Sequence, residues 1–238
     1  MINIDTKQRS KQEEIMDDFS LEGEELRHAL DKIADINRLL GGNKVTLNGV
    51  KRLLHKNFKN ESITIADVGC GNGDMLRMLA DYGLKNGISF NLIGIDANLF
   101  TINYAIELSA NFPNISYLCM NIFEDEFKSL KYDIVISTLT LHHFKDEEII
   151  KMMELFYDNS AIGVVINDLH RSKISYRLFS LICSVFNLNR MSREDGLISI
   201  LRGFKKNELV SFSKRLGFKK YNIAWQWAFR YEWIITKA

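Results

Sequence analysis

From residue 63 onward, short apolar runs alternate with stretches whose apolar residues recur at helical spacing. The runs Ile63–Val68, Phe90–Ile95, Ile115–Met120, Tyr132–Ser137 and Ile162–Asn167 are strand-length and mostly rich in β-branched residues. Between them, Met75, Met78, Leu79 and Tyr82 fall at i, i+3, i+4 and i+7. Leu99, Ile102, Ala105 and Ile106 do so behind Asn98, a suitable N-cap. Strands that alternate with helices predict a parallel sheet covered on both faces. The chain ends on a different rhythm. A helix is expected over Lys205–Leu216 with Gly217 as its stop, then two β-rich runs, Lys219–Trp227 and Tyr231–Thr236. Two strands joined this tightly must be antiparallel. The expectation is therefore an α/β fold, a doubly wound, mostly parallel seven-stranded sheet with an antiparallel C-terminal edge pair.

The N-terminal 60 residues carry no strand pattern and read as a helical cap on a main domain of residues 61–238. Residues 20–40 predict an amphipathic helix, with Ser20 as N-cap, Leu26, Leu30, Ile33 and Leu40 near one face, and Gly41-Gly42 as the stop. Leu47, Val50, Leu54 and Phe58 predict a second, short helix whose other face carries Lys51, Arg52, Lys56 and Lys59, a solvated basic face. Residues 1–19 read as a frayed or mobile arm. A helical insertion is expected at about 171–203. Its segment Ile174–Leu188 is apolar nearly all round, which suits a substrate-pocket wall, a dimer contact or core. Trp225, Trp227 and Trp233 fall in the terminal strands, where sheet packing is expected.

Composition narrows the class without naming a ligand. The 238 residues are 46% hydrophobic and 26% charged with net charge +1, so nothing pushes the chain toward nucleic acid or a membrane surface. Three widely spaced cysteines (Cys70, Cys119, Cys183), a polar start without a signal-peptide pattern and no apolar run of spanning length suggest a reduced, cytoplasmic protein, monomer or homodimer. No His/Cys group has zinc spacing, so no metal is expected. The absence of a GxSxG elbow disfavours a hydrolase.

Chemistry concentrates where the predicted strands end. In an open parallel sheet, ligands bind beyond the carboxyl ends of the strands at the switch point. After the first strand comes DVGCGNGD: Asp67, then Gly69, Gly71 and Gly73. The second ends in IGIDAN, placing Asp96 where an acceptor-only carboxylate can take both hydroxyls of a ribose. The third ends in Asn121, Ile122 and Phe123, an amide and apolar flanks suited to an adenine edge. A nicotinamide dinucleotide competes for such a loop, but its GxGxxG spacing differs. Here Asp74 opens the helix and would repel a pyrophosphate. That points to a nucleoside ligand without phosphates and with positive charge.

In this order and spacing, DVGCGNGD, IGIDAN, NIFEDEF and YDIVISTLTLHHF resemble the class I S-adenosylmethionine-dependent methyltransferases, over roughly residues 60–238. Those resembled most are the bacterial small-molecule enzymes of quinone biosynthesis. ELRHALDKIADINRLLGG and INDLHRS resemble enzymes encoded beside polyketide-type synthases. The resemblance implies a Rossmann-like fold and S-adenosyl-L-methionine as cofactor. It implies that Gly69, Gly71 and Gly73 wrap the methionine part and that Asp67 lies near its amino group. It also implies that Asp96 with Ala97 takes the ribose, Asn121 and Ile122 the adenine, and that Ser137 and Leu139 line the path beside the sulfonium. The family often has aspartate where Asn121 stands, so charge assistance is lost there.

For catalysis, His170, His142 and His143 follow strand ends and suit removal of a proton from a phenol or alcohol, with Asp168 available to orient His170. A merely pocket-shaping role for them is equally open. His28 and His55 read as surface residues. The expected activity is methyl transfer to an apolar small molecule, an oxygen of a phenolic or quinone-like acceptor. An RNA or protein target and a non-catalytic cofactor-binding scaffold are the alternatives.

Overall fold

A computed structural model describes residues 4–57, 62–185 and 190–237. Expectations resting on Phe58, Lys59, Phe186 and Leu188 lie outside the described residues. Seven strands form one sheet: β1 (Ile63–Val68), β2 (Phe90–Asp96), β3 (Ile115–Cys119), β4 (Tyr132–Thr138), β5 (Ser160–Leu169), β6 (Tyr221–Gln226) and β7 (Arg230–Thr236). Their order is β3-β2-β1-β4-β5-β7-β6. The first five are parallel, and β7 runs antiparallel to both β5 and β6. Chain direction across the sheet reverses between β1 and β4, which opens a crevice at their carboxyl ends.

Helices α1 (Glu24–Leu39) and α2 (Gly42–Asn57) precede the sheet. Within it follow α3 (Asp74–Asn86), α4 (Leu99–Leu108), α5 (Asp125–Ser129), α6 (Asp146–Asn159), α7 (Lys173–Val185), α8 (Arg190–Arg202) and α9 (Lys206–Arg215). One face of the sheet is sealed by α2, α3 and α4, whose Val50, Leu53, Leu76, Leu79 and Ile102 pack on Ile65, Leu92 and Ile134. The other is sealed by α5, α6 and α9 through Phe127, Met152, Phe156 and Phe212 on Val135, Val164 and Trp233. With both faces covered, continuous apolar strands are the stable choice.

Asn98 caps α4 as its sequence implies, its side chain accepting from the Thr101 N–H at 2.8 Å. Ser20 does not cap α1. The helix starts later, behind Gly23, and the Ser20 hydroxyl instead donates to Asp18 at 2.6 Å. The turn at Gly41 (φ +74°) ends α1 but Gly42 already begins α2, which is a full 16-residue helix rather than a short one.

The largest departure is the N-terminal segment. The Ser10 N–H donates to Leu201 at 2.9 Å, and residues 15–17 form a turn of 3-10 helix. Arg9 bonds the carbonyls of His142 and Phe144, each at 2.9 Å, that of Arg202 at 2.7 Å, and the Asp146 carboxylate at 2.7 Å. Polarity and lack of period suggested fraying. Long-range charged contacts, invisible to local patterning, hold the arm down. Among the described residues, no helix is long and apolar enough to cross a membrane.

Candidate active site

The glycine loop is shaped by what crowds it. Gly69 (φ +73°) has the Thr140 hydroxyl oxygen 2.3 Å from where a Cβ would sit, and Gly73 (φ +77°) has the Tyr117 hydroxyl at 2.1 Å. Side chains at either position are excluded twice, by conformation and by space. The Gly69 and Cys70 N–H groups donate to the Ile95 carbonyl at 2.8 and 3.1 Å, tying the loop to the end of β2. Asp96 stands there. Its Oδ2 accepts from Gly71 N–H at 3.2 Å and its Oδ1 from Asn98 N–H at 3.0 Å. Each oxygen keeps a further lone pair for a ligand. Burial raises the Asp96 pKa against these bonds.

Asp67 is 2% exposed and its Oδ1 has no hydrogen-bond partner. Burial, with the nearby charges of Asp74 and Asp96, pushes its pKa well above the ordinary carboxylate range. An orphaned acid beneath a glycine cradle, beside two further acids, is a place that a cation would stabilise. At the start of α3, Asp74 is held by Asn43 at 2.6 Å, so the helix end is occupied by the protein's own carboxylate. These residues fit a nucleoside with a positively charged tail and not a pyrophosphate.

The loop opens into one cavity of about 1760 Å³. That exceeds the roughly 300–1,000 Å³ usual for one small ligand and leaves room for two side by side. Its wall brings together Asp67, Gly69, Gly71, Asp96, Ala97, Asn121, Ile122, Leu139, His142 and His143. The amide oxygen of Asn121 already accepts from Phe123 N–H at 3.0 Å, which leaves its NH₂ free to turn to a ring. Leu139 adopts φ +57°, its N–H held by the Asn167 carbonyl at 2.9 Å. Ser137 is elsewhere: it is 1% exposed and its hydroxyl donates to the Val68 carbonyl at 2.9 Å, strapping β4 to β1. Gly73 and His170 also lie outside the wall.

The histidines separate. His170 accepts from the Trp225 indole N–H at 3.2 Å and packs edge-on against Tyr231, and burial lowers its pKa. Asp168 orients His142 rather than His170, with its Oδ1 2.7 Å from His142 Nδ1. Burial opposes charge on Asp168, but the field and hydrogen bond of His142 outweigh it and lower its pKa. An ionised Asp168 fixes the proton on Nδ1 and turns the Nε2 lone pair away from it. His143 stacks beside His142 at 4.2 Å between ring centres, and its Nδ1 meets Asp17 at 2.6 Å.

The other wall went unread in the sequence. Asp17 also pairs with Arg202 at 2.5 Å, and Asp195 accepts from the Ile15 and Met16 N–H groups at 2.8 and 3.0 Å. Burial resists the Asp17 charge, yet hydrogen bonds from His143 and Arg202 hold its pKa far below the ordinary range. For Glu14, burial dominates and raises the pKa to about 7. Apolar wall comes from Leu26, Leu30 and Ile33 of α1, Phe179 and Ile182 of α7, and Trp227. Trp233 is sheet core at 0% exposure, but Trp227 is 62% exposed at the rim rather than packed in a strand.

Residues 65–163 match the family model of a methyltransferase domain. The structure resembles that of the plantazolicin methyltransferase BpumL in complex with SAH, at 16% identity and TM-score 0.66, covering 88% of this chain and 89% of that one. It resembles the magnesium protoporphyrin IX methyltransferase of Synechocystis PCC 6803 with bound SAM, at 15% identity and TM-score 0.54 over 84% and 81%. A putative O-methyltransferase from Nostoc punctiforme PCC 73102 shares 13% identity and TM-score 0.59 over 87% of this chain and 60% of that one. No curated protein matches the sequence significantly. The domain match covers residues 65–163, and the sheet order is that of the fold shared with these methyltransferase structures.

Proposed function

We propose that the enzyme transfers the methyl group to an oxygen of an apolar, phenolic or quinone-like small molecule. The observation that carries this reading is the continuity of the cavity. It runs from the glycine loop and Asp96, past His142 and His143, to a wall of Leu30, Ile33, Phe179, Ile182 and Trp227. The neighbours include proteins named for acting on plantazolicin and magnesium protoporphyrin IX, and a putative O-methyltransferase.

Bound S-adenosylmethionine supplies an electrophilic methyl on a sulfonium. Asp67 neutralises the amino group of its methionine part, the glycine loop follows the chain, and Asp96 grips the ribose. Asn121 and Ile122 flank the adenine. The apolar wall excludes water and aligns the acceptor in line with the S–CH₃ bond. His142 and His143 face the oxygen that must lose its proton. On transfer the O–CH₃ bond would form as the C–S bond breaks, the electron pair would stay with sulfur as a neutral thioether, and the acceptor's proton would leave past the histidine pair to solvent.

The test is turnover of labelled S-adenosylmethionine on a panel of alkylated phenols and quinols, with wild type and His142→Asn. Product with wild type and a fall in kcat of about 10²-fold or more in the variant support the reading. Binding of NAD in preference to S-adenosylmethionine, or turnover on RNA but on no phenol, refutes it.

A further inference from the structure

The arm delivers a third group to the two histidines. Glu14 Oε2 accepts from the Ser199 hydroxyl at 2.5 Å, and the residue is 6% exposed. Its Oε1 is buried with no hydrogen-bond partner. That oxygen stands 3.8 Å from His142 Nε2 and 3.8 Å from His143 Nδ1. One ligand atom from each of the three residues lies within 4.8 Å of the others. Ligands about 2.1 Å from a common ion, at angles between tetrahedral and trigonal, stand about 3.4–3.6 Å apart. Closing the two spacings to Glu14 takes a few tenths of an ångström, and all three atoms already lie within 4.8 Å of one another.

Charge favours the same conclusion. Around the imidazoles lie four carboxylates: Glu14, Asp17, Asp168 and Asp195. Against them stands Arg202, 3.6 Å from Glu14 and 2.5 Å from Asp17, while Arg9 spends its charge on Asp146. A divalent cation restores the balance. The Asp168–His142 bond is the outer-shell support that metal-ligating histidines usually have, because it fixes the tautomer and leaves Nε2 free to coordinate.

We infer that Glu14, His142 and His143 form a site for a divalent transition-metal ion of the zinc class. Two imidazoles and a carboxylate suit such an ion and leave an open position. All three residues line the cavity, so that position is reachable by the acceptor's oxygen. The ion replaces the proton that His143 Nδ1 shares with Asp17, and it eases loss of the acceptor's hydroxyl proton to solvent before the oxygen takes the methyl group. The site deepens the methyl-transfer reading, and its binding can be measured independently of that reading. The three residues are 128 or more positions apart except for the histidine pair, so no ligand spacing shows in the sequence.

The experiment is titration of the chelator-stripped full chain with Co²⁺ and Zn²⁺, by calorimetry and by the visible absorption of bound Co²⁺. Expected are one ion per chain and a coloured Co²⁺ complex. Affinity should fall at least about 10-fold in Glu14→Gln and in His142→Asn, and about 10- to 100-fold in Asp168→Asn. Glu14→Gln, on the arm, keeps the test decisive if His142→Asn fails to fold. Absence of Co²⁺ and Zn²⁺ binding in folded protein, or unchanged affinity in Glu14→Gln, overturns the site. Full methyl transfer in excess chelator overturns the ion's part in the reaction and leaves the methyltransferase standing. Co²⁺ binding in a chain that turns over no phenol upholds the site and sinks the acceptor assignment.

Discussion

Replacing Asp96 by alanine should weaken cofactor binding by about 3 kcal/mol. The carboxylate already accepts one N–H on each oxygen, from Gly71 at 3.2 Å and Asn98 at 3.0 Å. One lone pair per oxygen then remains, enough for two ribose hydroxyls. Hydrogen bonds to a charged group contribute about 1.5–3 kcal/mol each, and the partly open site places these two at the low end. The sum corresponds to a Kd about 150-fold higher. Asp96→Asn keeps the shape and one acceptor but loses the charge, so about 10-fold is expected. Calorimetric titration with S-adenosylhomocysteine reads both values, with thermal unfolding as the control. The reasoning fails if Asp96→Ala binds within about 3-fold of wild type. It also fails if the affinity loss is accompanied by a Tm drop above about 5 °C that Asp96→Asn shares, which would mark a collapsed loop and not a lost ligand contact.

Gly69→Ala and Gly87→Ala both place alanine at positive φ, but only the first meets a side chain, at 2.3 Å, while the second meets open space. Urea unfolding should show about 1 kcal/mol lost at residue 87 and clearly more at residue 69. For Asp67, burial holds the folded pKa above the unfolded value, so the folded chain keeps a proton that the unfolded chain has released, and stability falls as pH rises above about 4. Asp67→Asn should therefore be more stable than wild type at pH 8 but not at pH 3.5, while binding the cofactor less well. A wild-type advantage at pH 8 would contradict this. Arg9→Ala removes three carbonyl bonds and one ion pair, so limited proteolysis should cut within residues 4–22 on the order of 10-fold faster, and bound S-adenosylhomocysteine should slow that cutting.

The sheet was legible because its central strands must bury both faces and each helix one, which writes period and length directly into residues 63–236. The terminal antiparallel pair was legible from its short link. The loop, Asp96 and Asn121 were legible because a strand end fixes where they must stand. What could not be read were pairings between distant positions. Asp168 and His170 are two positions apart, which would put them on one face of a continuous strand, yet β5 ends at Leu169 and the acid reaches His142 instead. Ser137 reads as a pocket residue but points to the β1 backbone. Arg9, Glu14, Asp17, Asp195 and Arg202 lack any period or motif. The cluster QEEIMDD was the one local signal, a run of acids too dense for a simple solvated arm.

Residues 9–17 are made early, whereas Asp195, Ser199 and Arg202, which hold them, are made late. A growing chain thus makes its glycine loop and Asp96 while the opposite wall is still missing. The arm can take its place only after residues 195–202 have been made. Chains ending before residue 195 carry the glycine loop and Asp96 in sequence but lack the Asp195, Ser199 and Arg202 groups that hold Glu14 and Asp17 against the cavity.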